Sequence, residues 1–201
     1  MRMILMILLL LPLSLPAQTN GEVMENVRKI FASEDKAFSM NFAISSETDG
    51  YLMAGMLTLQ GTRYRIETSE LEIYCDGESK WVVYPDYSEA VVMKNNLNAV
   101  DFVENPYIVF TAPDEIFNYR SKGKAQVVDG LYRVKMDSRS RSAYDLVIYV
   151  NSRFIPEKIE LSNDTAEYAV SILQFSEIEP NEKSFYVFST DNEDFYITDM
   201  R

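Results

Sequence analysis

The sequence predicts an α+β fold: a strongly curved antiparallel sheet of about eleven strands, left as a half-open barrel, with helices covering its concave face. Three observations predict it. Beyond Ser33, apolar residues alternate with period two through most of the chain, as half-buried strands require. Short turns rich in Gly, Asp and Asn separate these runs, most clearly at Asp76-Gly77 and Asp129-Gly130. Helical spacing occurs only at the start and in the middle, so helices are few and lie to one side of a continuous meander.

The first element is an amphipathic helix. Val23, Val27, Ile30 and Phe31 recur at helical spacing, while Glu22, Glu25, Asn26, Arg28 and Lys29 face elsewhere. Phe38, Met40, Phe42 and Ile44 then alternate with Ser39, Asn41, Ala43 and Ser45, a half-buried strand. A turn at Thr48-Asp49-Gly50 leads to a strand over Tyr51–Leu59, and Gly61 leads to another over Tyr64–Thr68. Leu71–Cys75, Lys80–Tyr84 and Ser88–Met93 follow, joined by Asp76-Gly77-Glu78-Ser79 and by Pro85-Asp86-Tyr87. The middle is different. Leu97–Glu104, Tyr107–Phe110 behind Asn105-Pro106, and a segment after Pro113 with Ile116, Phe117 and Tyr119 have helix-like spacing. Strands return over Ala125–Val128, Leu131–Met136, Tyr144–Val150, Pro156–Leu161 and Glu167–Phe175, and the tail, Phe185–Phe188 and Phe195–Asp199, is apolar enough to dock. No repeat or linker interrupts this order, so residues 18–201 are expected to form one domain.

Arg2, the apolar run Met3–Leu11 and Ser14-Leu15-Pro16-Ala17 make a secretory signal peptide with cleavage expected after Ala17. The run is too short to span a bilayer, which takes about 20 apolar residues. Gln18 stands where a lipoprotein signal needs cysteine, so the exported mature protein is expected to be soluble and without its own lipid anchor. Removing those 17 of 201 residues leaves 184 and takes away one positive charge, moving the net charge from −12 to −13. That balance argues against nucleic acid and against adhesion to anionic lipid through a basic patch. The single cysteine, Cys75, allows no internal disulfide, and a monomer is expected.

The chemistry of catalysis is thinly represented. Histidine is absent, which removes the commonest general base and the Ser-His and Cys-His nucleophile pairs. Cys75 has no CxxC partner, the acidic cluster Asp191-Asn192-Glu193-Asp194 reads as solvated surface without calcium-loop spacing, and the glycines form no phosphate loop. No enzyme activity, metal or cofactor is expected. What stands out is an apolar surplus: in Leu52-Met53-Ala54-Gly55-Met56-Leu57-Thr58-Leu59 both faces of the strand are largely hydrophobic. Either both faces are buried by ordinary core and a helix, or one lines a cavity.

The Asp76-Gly77…Trp81 hairpin, the Gly55-Met56-Leu57-Thr58-Leu59 and Arg63-Tyr64-Arg65-Ile66 strands, the opening helix, Asn105-Pro106 and the closing Ile197-Thr198-Asp199-Met200-Arg201 together resemble the outer-membrane lipoprotein carrier (LolA-like) family. The Gln60-Gly61-x-Arg63-Tyr64-Arg65 version is similar to a shorter, Bacteroidetes-type variant. The resemblance implies a Gram-negative periplasmic chaperone without a catalytic site. It would bind lipoprotein acyl chains received from an inner-membrane lipoprotein-releasing ABC transporter and pass them to an outer-membrane acceptor. It also implies a hydrophobic cavity lined by Phe38, Met40, Phe42, Ile44, Leu57, Leu59, Trp81 and Val83, under a lid that contributes Val27, Phe31, Phe102 and Phe110. Gln60-Gly61-Thr62 stands where proteobacterial carriers have the arginine that holds their lid, so lid control is expected to differ. A second expectation from the same fold is a sensor or assembly module that binds a partner protein or another lipid or glycolipid.

Overall fold

The computed structural model of the protein describes residues 17–46, 50, 52–140, 143–191 and 193–201. All but Ala17 of the expected leader lies outside the described residues, as do Thr48, Asp49 and Tyr51 of the first expected turn and strand. Helix α1 (Asn20–Phe31) starts at a reciprocal cap, in which the Thr19 hydroxyl accepts from the Glu22 amide (3.2 Å) and the Glu22 carboxylate accepts from the Thr19 amide (2.7 Å). The strands β1 (Ala37–Ser45), β2 (Leu52–Gln60), β3 (Arg63–Thr68), β4 (Glu72–Cys75), β5 (Ser79–Tyr84) and β6 (Glu89–Lys94) run as a meander. Helix α2 (Pro106–Thr111) follows, begun by the Asn105 side chain and Pro106. The second half holds β7 (Phe117–Asn118), β8 (Gln126–Val128), β9 (Leu131–Ser138), β10 (Asp145–Val150), β11 (Pro156–Ser162), β12 (Glu167–Ile178) and β13 (Tyr196–Asp199).

All thirteen belong to one sheet in the order β13-β6-β5-β4-β3-β2-β1-β12-β11-β10-β9-β7, with β8 also on β9. The two ends of this order do not meet, so the curved sheet remains a half-open barrel. Two strands exceed the expected eleven: the two-residue β7, and β13, which pairs with β6 in parallel while every other pairing among the described residues is antiparallel. β13 is the closing strand that the family resemblance, though not the strand pattern, implied at 197–201, and it lies at 196–199.

Of the middle segments, only the one after Asn105 is helical. The expected helix over 97–104 is a series of turns because short polar side chains take the amides a helix would use: Asp101 Oδ1 accepts from Val103 and Glu104, and Asn96 Oδ1 from Asn98. The stretch after Pro113 makes one turn and then enters β7.

Two devices bend the sheet. Gly55 sits where a Cβ would come within 2.4 Å of the Glu67 carbonyl oxygen and 3.2 Å of the Phe42 ring, so only glycine allows this approach of β2 and β3. In β12, a bulge at Leu173 shifts the pairing with β1 between Asn41 and Phe42. It keeps Ile172 and Phe175 on the inner face and turns Leu173 out to solvent.

Candidate functional site

The inward residues of β1 and β2, Phe38, Met40, Phe42, Ile44, Leu57 and Leu59, form one apolar core with Val27 and Phe31 of α1, Phe102 before α2, and Phe110 of α2. All ten are buried. Phe31 stacks on Phe110 with centroids 4.8 Å apart, and Phe102 meets Phe42 edge-on at 5.1 Å and Phe110 at 5.9 Å. The open hollow expected here is therefore occupied: lid and lining side chains fill the concave space themselves.

Trp81 and Val83 do not join this group. Lys80 and Val82 face inward on β5, so strand alternation turns Trp81 and Val83 to the convex side. There they pack with Ala90 and Val92 under Tyr74, Val187, Phe188, Phe195 and Ile197. Trp-Val-Val-Tyr is apolar on both faces because the C-terminal tail covers the outer one; a tail docked from a hundred residues away leaves no mark in a local pattern.

The same tail explains the outer face of β2. Gln60, 3% exposed, donates through Nε2 to the Glu34 carbonyl (2.9 Å), and its Oε1 accepts from the Asn181 amide (3.0 Å) and the Tyr186 hydroxyl (3.0 Å). Arg63 lies over Tyr186, and Arg65 lies between Tyr74 (4.7 Å) and Phe185 (5.2 Å). Further along β2, Met56 on that face is 37% exposed. Of the two readings of this strand's apolar surplus, ordinary burial is thus met in part: core inside, and over one end outside the tail where a helix was expected.

An opening lies at the rim of the barrel. A pocket of about 320 Å³ is lined by Ile44, Ser46, Met53, Asp101, Val103, Tyr144, Ala166, Glu167 and Tyr168. The volume is at the low end for a small-molecule site. Tyr168 Oη donates to Asp101 Oδ2 (2.7 Å), and Tyr144 packs edge-on against Tyr168 at 5.2 Å. Burial, then the Asp101 carboxylate, drive the Tyr168 phenol well above its ordinary pKa, so it remains a donor to Asp101. Asp101 and Val103 flank Phe102, whose ring turns inward against Phe42 and Phe110.

Segment 101–104 is thus a plug held by few ties. Besides Asp101–Tyr168, the buried Lys80 ammonium pairs with the Glu104 carboxylate, and the Tyr64 hydroxyl donates to the Glu104 carbonyl (2.6 Å). A second clasp joins the helices. Arg28 of α1 donates to the Thr111 (2.7 Å) and Ala112 (2.5 Å) carbonyls at the end of α2 and pairs with Asp114 (2.7 Å). An arginine thus ties the two helices of the cover to each other, and it comes from α1 and not from the sheet. Arg28 stands on the polar side of the helix pattern, but nothing in its spacing points to α2. Asp101, Tyr144 and Tyr168 carry no sequence signal beyond a carboxylate between two apolar residues and two strand-edge tyrosines.

No protein-family model matches the chain, and no curated protein matches it. Its similarity is to solved structures. An uncharacterized conserved protein from Thermus thermophilus superposes with a TM-score of 0.57 at 10% identity, over 89% of this chain and 97% of that one. A LolA superfamily protein from Nitrosomonas europaea aligns over 85% of this chain and 98% of its own at 13% identity, with a TM-score of 0.47. MucB in complex with MucA aligns over 85% of this chain and 60% of its own at 11% identity, with a TM-score of 0.41. The Thermus protein shares the fold; the other two superpose more loosely. The half-open barrel with helices on its concave face is the architecture that the carrier resemblance implied. Among the described residues, no helix is long and apolar enough to cross a membrane.

Proposed function

We propose that the protein is a periplasmic acyl-chain carrier, exported with its leader cut after Ala17, that takes lipoprotein acyl chains from an inner-membrane ABC transporter and delivers them to the outer membrane. Its work is binding and not catalysis. The observation that carries this reading is the rim pocket beside Phe102, a buried aromatic plug on a segment tied down, among the described residues, by four polar contacts. Hydrocarbon entering there would replace the plug against the Phe42 face.

Magnitudes make such an exchange reversible. Withdrawing Phe102 and Phe110 costs about 3–6 kcal/mol of apolar burial, and breaking four polar ties adds roughly 4 kcal/mol. A long acyl chain returns roughly 10 kcal/mol at ~0.8 kcal/mol per methylene. Terms this closely matched permit loading and release. Asp101 and Glu167 in the pocket lining disfavour a free carboxylate, so neutral acyl esters and amides suit the site better than fatty acids.

The test is native mass spectrometry of the protein taken from its own periplasm. Acylated mass increments, lost on delipidation, are expected. Bare protein, or a stable protein complex free of acyl chains, would overturn the carrier reading. The latter result would favour a partner-binding module, a reading helped by the exposed edge strand β13 with Tyr196 and Met200 at the surface.

A further inference from the structure

We propose that the outer face of the sheet at β7, β8 and β9 carries an anion site that takes a phosphate-bearing ligand. β10 occupies one edge of β9, while β7 and β8 pair with the two ends of its other edge, leaving a gap at residues 134–136. The loop 119–125 spans this gap and is fastened to α1, with the Asn20 amide donating to the Gly123 carbonyl (2.8 Å), the Gly21 amide to the Ser121 carbonyl (2.8 Å) and Asn20 Nδ2 to the Arg120 carbonyl (3.0 Å). The result is a concavity of about 610 Å³ lined by Arg120, Lys124, Arg133, Lys135, Asp137 and Asn118, with Gln126 at its side.

Its charge runs against the chain. Acidic residues outnumber Lys and Arg by 31 to 19, yet four cations and one carboxylate converge here. That carboxylate, Asp137, is engaged by Lys135 at 3.3 Å. No ion pair holds Arg120, Lys124 or Arg133 among the described residues. Arg133 is also held in place, its Nε donating to Tyr149 Oη (3.3 Å) and its Nη1 to Gln126 Oε1 (3.2 Å). Three uncompensated cations around one concavity match a phosphate dianion better than a carboxylate, because guanidinium forks and ammonium groups together satisfy several oxygens. Net charge is a sum over the whole chain; the field at a site depends on which side chains the fold gathers. The overall acidity that argued against a basic patch therefore does not apply locally. The inference goes beyond the acyl-carrier reading and stands on separate residues.

Two probes separate the sources of the phosphate. Inorganic phosphate is titrated calorimetrically, and vesicles of phosphatidylcholine alone are compared by cosedimentation with equimolar phosphatidylcholine and phosphatidylglycerol. Saturable binding in at least one arm is expected: phosphate for a soluble ester, anionic vesicles for a lipid headgroup. It should weaken about tenfold or more in an Arg120→Glu/Lys124→Glu variant and fall with added salt. Both positions are exposed, and an unchanged melting curve verifies the fold. Lys29→Glu/Lys36→Glu makes the same charge change elsewhere on the surface. No binding in either arm, or equal losses in the two double variants, would overturn the site.

Discussion

Phe102→Ala probes the plug directly. The ring is fully buried between Phe42 and Phe110, so its removal forfeits both transfer energy and packing. The transfer part is about 1.5–3 kcal/mol. A void of roughly 100 Å³ adds about 2 kcal/mol at ~24 cal/mol per Å³, giving a total of about 3–5 kcal/mol. For a domain of this size the melting temperature should drop by on the order of 10 °C. The same change should improve ligand binding, because the wild-type protein must expel the ring before a chain can occupy its place. If about 3 kcal/mol of that expulsion disappears, affinity for a neutral acyl ester such as monopalmitoylglycerol rises about a hundredfold. Thermal unfolding with and without the ester measures both effects in one experiment, since bound ligand raises the midpoint. A stability loss below about 1 kcal/mol would refute the packing argument. A full loss with no gain in affinity would refute the idea that the rim pocket and the Phe102 site are continuous.

Four further outcomes follow from the same contacts. Arg28→Gln removes the clasp on the end of α2 and should cost about 1–3 kcal/mol while raising hydrogen exchange in α2 more than in β1. Glu104→Gln leaves the Lys80 ammonium buried without its carboxylate. A deeply buried pair broken this way loses about 3–5 kcal/mol, but Glu104 is 54% exposed, so about 1–2 kcal/mol is expected, read as faster exchange at 101–104. Gln60→Ala strands the Tyr186 hydroxyl, the Asn181 amide and the Glu34 carbonyl, and should destabilise by about 2–4 kcal/mol and expose 181–195 to limited proteolysis. Alkaline stability should fall. Burial pushes the Cys75 thiol up to about 11, above its value in the unfolded chain, so the unfolded state releases this proton first and stability is lost as pH rises from about 9 towards 11, by roughly 2 kcal/mol. Tyr64, raised mainly by burial, extends the loss above pH 10, and Cys75→Ala should flatten the lower part of the slope in urea titrations.

Particular residues show how much of this is legible in the chain. The β1 alternation Phe38-Met40-Phe42-Ile44 and the α1 stripe Val23-Val27-Phe31 appear in the structure as the sequence pattern dictates, because a local period of two or 3.6 directly states which face is buried. The Asp76-Gly77 turn joins β4 to β5 as its residue types require. Glu104 and Lys80, by contrast, are 24 positions apart, and neither lies in a pattern that announces the other. Trp81 and Val83 lie on the face opposite to the expected one because a doubly covered strand has no polar side to orient it.

The amino-acid order by itself determined the strands, their turns, the opening helix and the curved antiparallel class, since these follow from near-neighbour sterics and periodic burial. Tertiary structure alone decided that the concave space is filled by its own aromatics, that the tail seals the convex face through Gln60, Arg63 and Arg65, and that four cations of an acidic chain meet in one concavity. Those outcomes depend on contacts between residues far apart along the chain, whose free energies exist only once the sheet has closed the distance.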